Sequence, residues 1–132
     1  MGALLACQST ELEKREIRSV LDAQVAAWNR GDIEGFMQGY WNSEQLEFRS
    51  SSRKSKGWQA TLDGYKEKYD TREKMGTLEF RDLKISPPKR NETQVTGEFQ
   101  LFRKESPPSA GRFELLFRKI KGQWLIVRDQ TN

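Results

Sequence analysis

The sequence predicts an α+β domain in which three N-terminal helices pack on the concave face of a curved, mostly antiparallel sheet. Helical periodicity is found only in the first half of the chain, near 11–29, 32–40 and 58–69. Strand-like segments follow near 77–86, 92–103, 111–120 and 123–131. Helices followed by a meander of long strands are typical of this fold class.

The length and composition predict one soluble domain with an aromatic core. The 132 residues suffice for a single core, and we assign 11–132 to the domain and 1–10 to an N-terminal extension. Lys and Arg exceed Asp and Glu by 23 to 19, and this mild excess is spread along the chain. Seven Phe, four Trp and three Tyr supply large apolar side chains.

The first helix has one buried stripe at 3–4 spacing, from Ile17 to Trp28. Thr10 and Glu13 have the spacing of a capping box that would start it, and Gly31 is a natural stop.

Two further helices carry aromatic residues. Asp32 is placed to cap a short second helix. In the third helix, one face carries Trp58, Leu62, Tyr65 and Tyr69.

The strand segments differ in how many faces are apolar. Residues 46–49 alternate like a short edge strand, and the polar stretch 50–56 is typical of a loop. Residues 94–101 alternate between apolar and polar side chains, which indicates one buried face. Residues 124–127 are apolar on both faces, so this strand is expected to need a second cover.

These spacings together resemble a known superfamily. The run from Trp28 to Trp41, then Leu46-x-Phe48, the Gly57 to Tyr69 helix and Gly76-x-Leu78-x-Phe80, is similar to the nuclear transport factor 2-like superfamily and its SnoaL-like subgroup. The resemblance covers 11–132 and implies a cystatin-like cone. It also implies a homodimer packed through the outer sheet face. Isomerases, dehydratases, transport adaptors and oligomerisation modules share this cone, so the fold alone does not choose a function.

The absence of histidine limits the chemistry. No His occurs in the sequence, which excludes Ser-His-Asp and Cys-His nucleophile systems and histidine metal sites. Many SnoaL-like relatives carry a His in the last strand where this chain has Gln130, between Asp129 and Thr131. We expect neither a metal nor a cofactor.

Carboxylate and phenol groups remain for acid–base chemistry. Asp129 with Tyr40 or Tyr65 would fit the pattern in which an apolar pocket raises a carboxyl pKa and a tyrosine stabilises an oxyanion. The more common interpretation is that Asp129 is an exposed or salt-bridged residue at a strand end and that the tyrosines are core aromatics.

A ligand pocket is the second candidate site. If the resemblance holds, large side chains converge between the helices and the sheet, and those expected to form the pocket are Phe36, Tyr40, Trp58, Leu62, Tyr65, Phe80, Phe99 and Phe113. Core packing is the ordinary role of such residues. A cone open at one end would suit a small apolar or aromatic ligand.

The basic stretch from Arg49 to Lys56 lies next to Trp58, and basic residues beside an aromatic ring are a pattern found in nucleic-acid-binding sites. A net charge of +4 with acidic residues scattered among the basic ones argues against it. An anionic ligand at the pocket mouth is the favoured reading.

Cys7 is the only cysteine, and Leu4-Leu5-Ala6-Cys7 resembles a bacterial lipoprotein cleavage box. A signal peptide needs a basic leader and about 7–15 apolar residues before the cysteine. Either the start is truncated, and the protein is lipidated at Cys7 in the cell envelope, or the match is accidental and the protein is cytoplasmic. Such an anchor is the only membrane attachment we expect.

Three functions stay open. The leading hypothesis is a small-molecule-binding domain. The alternatives are a cofactor-independent isomerase or lyase using Asp129 and a tyrosine, and a non-catalytic oligomerisation or adaptor module. The apolar segment 124–127, with Leu116 and Phe102, predicts a homodimer through the sheet.

Overall fold

The architecture is the predicted α+β arrangement. A computed structural model describes residues 2–132, with side chains from Gln8 onward. The helices are α1 Gly2–Asn29, α2 Ile33–Phe36, α3 Trp58–Lys68 and α4 Arg72–Met75, and a single 3₁₀ turn, Met37–Gly39, continues α2. The strands are β1 Glu47–Arg49, β2 Lys54–Lys56, β3 Thr77–Ile85, β4 Glu92–Phe102, β5 Ser109–Ile120 and β6 Gln123–Thr131.

The strands form one six-stranded sheet in the order β2-β1-β6-β5-β4-β3. The β1–β6 pair is parallel and the other pairs are antiparallel, so the sheet is mostly antiparallel as predicted. Register shifts interrupt β3 between Arg81 and Lys84, and the β5–β6 pair between Leu116 and Phe117. Bulges of this kind bend strands and strengthen their twist, which helps the sheet to curve around the helices.

The core lies between α1 and the concave face of the sheet. Ile17 and Leu21 of α1 and Phe117 and Ile126 of the sheet are fully buried. Truncating a buried Leu or Ile to Ala typically costs about 2–5 kcal/mol. The α1 stripe therefore fixes the helix on the sheet.

The start of α1 differs from the prediction. The helix runs from Gly2, so Thr10 lies inside it and the predicted capping box at Thr10 and Glu13 is wrong. The residues before Thr10 include Ala, Leu and Gln, which are good helix formers and allow the helix to continue. The Cys7 side chain, on which the lipidation hypothesis depends, lies outside the described side chains.

The predicted end of α1 is confirmed. Gly31 adopts a positive φ of 82°, and Asp32 caps α2, since its Oδ1 accepts a hydrogen bond of 2.8 Å from the Gly35 backbone N–H.

Two elements differ from the sequence reading. Part of the predicted 50–56 loop is a strand, because Lys54–Lys56 pairs with β1. The short helix α4 was not predicted, although Thr71 is a normal N-cap residue and accepts a hydrogen bond from the Lys74 N–H.

Most of the apolar segment 124–127 is covered within the single chain, and Leu125 is half-buried. Trp124, Ile126 and Val127 are all buried within the single chain. On the outer sheet face, Phe102 is 41% exposed, and charged pairs are common, such as Arg112 with Glu98 at 2.8 Å. The homodimer therefore stays a prediction, and the outer sheet face exposes less apolar surface than the sequence suggested.

Within residues 2–132, no helix combines the length and hydropathy that a membrane span requires.

Candidate functional site

A cavity of about 520 Å³ lies between the helices and the concave face of the sheet. It opens at the end of the cone where exposed lining residues meet: Ser51 and Ser52 before β2, Lys68 at the end of α3, and Ala110 at the start of β5. Nine aromatic side chains form a large part of its wall: Trp28, Phe36, Tyr40, Phe48, Tyr65, Tyr69, Phe80, Phe99 and Phe113.

The aromatic wall is held by edge-to-face contacts. The Trp28 ring lies 5.0 Å from the centroids of both Phe36 and Tyr69, and 5.9 Å from that of Tyr65. The Trp28 indole N–H donates a 2.9 Å hydrogen bond to the carbonyl of Met75, which fixes the ring in place. Such T-shaped pairs are favourable arrangements of aromatic rings. The wall is therefore formed before any ligand arrives.

Asp129 is the one buried carboxylate among the residues that line the cavity. It is 3% exposed. The Tyr40 hydroxyl donates to its Oδ2 at 2.6 Å, and the Thr131 hydroxyl donates to its Oδ1 at 2.6 Å. Among the described residues, no cationic side chain forms a salt bridge with it. The interpretation of Asp129 as an exposed or salt-bridged strand-end residue is therefore wrong.

The irregularity in β6 places Asp129 inside. Leu116 pairs with Arg128 but Phe117 pairs with Ile126, so Val127 is an extra residue. Trp124 and Ile126 are buried before this bulge, and Asp129 is buried after it. An inserted residue reverses the alternation of a strand, which turns Asp129 toward the cavity.

Burial in this aromatic cavity raises the pKa of Asp129 from 3.8 to about 6, while the hydrogen bonds from Thr131 and Tyr40 partly oppose the rise. Burial, together with the nearby Asp129 charge, also raises the pKa values of Tyr40 and Tyr65 well above 10.0. Both phenols are therefore neutral donors at physiological pH. The Tyr65 hydroxyl lies 3.5 Å from that of Tyr40, which extends the polar group along the wall.

The chain is similar to solved structures over nearly its whole length. An NTF2-like protein of unknown function from Shewanella oneidensis MR-1 is 36% identical, with a TM-score of 0.83, over 90% of this chain and 98% of that one. This chain belongs to the NTF2-like family.

More distant NTF2-like neighbours share the fold. A ketosteroid isomerase-like protein from Erwinia carotovora atroseptica is 19% identical, with a TM-score of 0.70, over 89% of this chain and 92% of that one. A putative scytalone dehydratase from Novosphingobium aromaticivorans is 18% identical, with a TM-score of 0.73, over 95% of this chain and 87% of that one. No protein-family model and no curated protein matches the sequence.

Most of the residues proposed for the pocket meet at the cavity of this NTF2-like domain. Those lining it are Phe36, Tyr40, Tyr65, Phe80, Phe99 and Phe113. Leu62 does not line it, because it is buried in the core. Trp58 does not line it either, and its indole N–H donates to the carbonyl of Met37 at 2.9 Å. The cavity is lined by α3 from Thr61 to Lys68 and by Tyr69 just after the helix, but not by the first three residues of α3.

Sequence reasoning did not assign Thr131, Gln24 or Arg103 to the site. Thr131 holds Asp129, and Gln24 and Arg103 line the cavity. A hydroxyl two residues after a strand carboxylate is a weak signal for Thr131. No sequence signal points to Arg103, since basic residues near turns are common. Within the described residues, no group of three or more His, Cys, Asp or Glu side chains is arranged to hold a metal ion.

Proposed function

We propose that this NTF2-like domain binds a small, flat, largely apolar molecule in its aromatic cavity. The observation that carries the proposal is an open space of about 520 Å³ walled by aromatic rings. Small-molecule sites commonly measure roughly 300–1,000 Å³. Each 100 Å² of apolar surface removed from water contributes roughly 2.5 kcal/mol before the costs of binding.

Asp129 and the two tyrosines would orient the ligand. An ionised Asp129 accepts hydrogen bonds, so a ligand hydroxyl or amine directed at it gains a charge-assisted contact. Within the part of the chain that the structure describes, the Tyr65 hydroxyl has only the long 3.5 Å contact with Tyr40, so it is available to a ligand oxygen. A ligand lacking such groups would leave buried polar atoms unpaired and bind more weakly.

The test is a fluorescence titration with N-phenylnaphthylamine, a neutral flat probe. It should bind the wild-type protein with a large increase in probe emission. Leu115→Trp adds volume next to Asp129, since Leu115 pairs with Asp129 across the sheet and lines the cavity. This variant should lose the signal. The control is Leu125→Trp on β6, which is outside the cavity lining and should leave binding unchanged.

A wild-type protein that binds none of a panel of flat apolar probes would contradict the proposal. So would equal binding to wild type and Leu115→Trp. Thermal unfolding of each variant shows whether the fold is retained.

Proton transfer is a second candidate function, and the position of Asp129 supports it. A buried carboxylate whose pKa is raised to about 6 is mostly ionised at neutral pH and still a stronger base than an ordinary one. It would take a proton next to a ketone of a bound flat substrate, and a neutral tyrosine hydroxyl would donate to the developing oxyanion.

Asp129→Asn tests this second candidate. The substitution keeps the shape of the side chain and removes the base, so isomerisation of an unsaturated ketone should stop while N-phenylnaphthylamine still binds. Turnover that survives the substitution would remove Asp129 from the chemistry.

A further inference from the structure

The rim of the cavity carries more positive than negative side chains. Arg53, Lys68 and Arg103 line it, and Glu67 is the carboxylate among them. The three cations come from different parts of the chain: Arg53 precedes β2, Lys68 ends α3, and Arg103 follows β4. The fold therefore gathers positive charge at the mouth of a cavity that is lined by aromatic rings and holds the Asp129 carboxylate inside.

Neutral acceptors hold the Arg103 guanidinium in place. Its Nε donates to the carbonyl of Lys74 at 2.8 Å, and its Nη1 donates to the carbonyl of Pro107 at 3.2 Å and to Ser109 Oγ at 2.7 Å. Among the described residues, Nη2 has no hydrogen-bond partner and no carboxylate lies within salt-bridge distance. Glu73 lies nearby, where its carboxylate accepts hydrogen bonds from the Ser106 hydroxyl and from the Lys104 and Glu105 N–H groups. These bonds, and to a smaller extent the Arg103 charge, lower the pKa of that carboxyl. The guanidinium is thus held in place without a direct ion pair.

Arg53 lies against α3 in a similar way. Its Nε donates to Ser55 Oγ at 3.3 Å, and its guanidinium packs where a side chain at Gly64 would otherwise lie. Among the described side chains, the carboxylate within salt-bridge distance of it is Glu67, whose Oε2 lies 3.8 Å from Arg53 Nη2, and the Glu67 side chain is 82% exposed. An ion pair this long and this exposed contributes little to stability. Displacing Glu67 from Arg53 would therefore cost an incoming anion little binding free energy.

We propose that the ligand of the aromatic cavity is an amphiphilic anion: a flat apolar body with an oxyanion group, such as a carboxylate, at its outer end. Arg53 and Arg103 bind that group, since guanidinium forks match the geometry of oxyanions. The charge on Asp129 inside the cavity repels an anion and so fixes which end of the ligand enters first. This inference rests on the proposed ligand-binding function and names the class of ligand.

A matched pair of probes tests the inference. N-phenylnaphthylamine is neutral, and anilinonaphthalene sulfonate has the same ring system with one anionic group. Removing both charges in Arg53→Gln/Arg103→Gln should weaken sulfonate binding about tenfold, the expected value for lost charge-assisted hydrogen bonds. Binding of the neutral probe should change less than about twofold. Raising the salt concentration should weaken the sulfonate probe alone.

Three further variants serve as controls for this test. Arg128→Gln removes a charge from an exposed position on the other side of the same strand as Asp129, and it should leave both probes unaffected. Arg103 also hydrogen-bonds to Pro107 and Ser109 in the turn between β4 and β5. Arg103→Lys therefore serves as the conservative variant. It keeps the charge and should retain most of the sulfonate affinity. Arg53→Gln alone should show part of the loss if the double variant does not fold.

The outcomes separate this inference from the proposed function. If the neutral probe binds and the sulfonate binds equally to wild type and double variant, the rim does not select anions and the inference is overturned. Loss of both probes to the same extent would also overturn it. If neither probe binds the wild-type protein, the proposed function itself fails.

Discussion

Asp129 is held at a cost to stability, and that cost depends on pH. Its folded-state pKa is about 6 against 3.8 for an exposed carboxyl. Between these values the folded protein binds the proton more strongly than the unfolded chain does. The contribution of Asp129 to stability is therefore complete below about pH 4 and lost as the pH rises through 6.

Asp129→Asn should remove this pH dependence. A shift of this size corresponds to about 3 kcal/mol, so relative to wild type the variant should gain up to that amount between about pH 3 and pH 7. The measurement is urea unfolding of both proteins at several pH values. The comparison at about pH 3 is the internal control, since the Asp129 carboxyl is then mostly protonated in both the folded and the unfolded state. A difference between the two proteins that does not change with pH would contradict the assignment of a raised pKa.

The burial of Asp129 could not be predicted from its neighbours in sequence. Strict alternation from Trp124 and Ile126 would place Arg128 inward and Asp129 outward, and only the extra residue Val127 reverses them. Nothing in the run Ile126-Val127-Arg128 signals a bulge. Local sequence does not show the hydrogen bond between Tyr40 and Asp129 either, because the two residues are 89 positions apart.

At the scale of elements, two glycines close to the cavity and its neighbouring helices should respond differently to alanine. Gly64 lies inside α3, where alanine is favoured over glycine, and the three atoms nearest to the new methyl group all belong to the flexible Arg53 guanidinium. Gly76 ends α4 with φ 63° and ψ −161°. A Cβ there would lie 2.5 Å from the Phe102 carbonyl oxygen.

Gly64→Ala should therefore raise the free energy of unfolding by roughly 0.5–1 kcal/mol. Gly76→Ala should lower it by at least about 1–3 kcal/mol, the usual cost of a residue forced into a glycine-only region. Chemical denaturation measures both. Destabilisation by Gly64→Ala comparable to that by Gly76→Ala would show that Arg53 is rigidly fixed on α3.

At the scale of the whole molecule, the fold was predictable because its signals are periodic. The stripe from Ile17 to Trp28 and the alternation from Val95 to Leu101 each report a buried face, and both faces are buried. The cavity, unlike the fold, could not be predicted from periodic signals. Sequence periodicity shows that Phe80, Phe99 and Phe113 face inward, but whether they meet or leave space depends on the curvature of the sheet.

Assembly is the least constrained property. If the homodimer forms through the outer sheet face, wild-type protein at micromolar concentration should sediment at about twice 15.4 kDa. Leu116→Lys places a charge on that face and should dissociate the dimer. Leu12→Lys makes the same change on α1, where Leu12 is 51% exposed, and should not. Sedimentation of the wild-type protein as a monomer would refute the prediction.

The tryptophan indole resonances give the most direct test of ligand binding in the cavity. Of the four tryptophans, Trp28 lines the cavity, while Trp41, Trp58 and Trp124 do not. In a nitrogen–proton correlation spectrum of labelled protein, with Trp28→Phe used for assignment, N-phenylnaphthylamine should shift the Trp28 indole signal far more than the other three. An unchanged Trp28 signal at saturating probe, or a larger shift at Trp124, which is buried outside the cavity lining, would contradict the account.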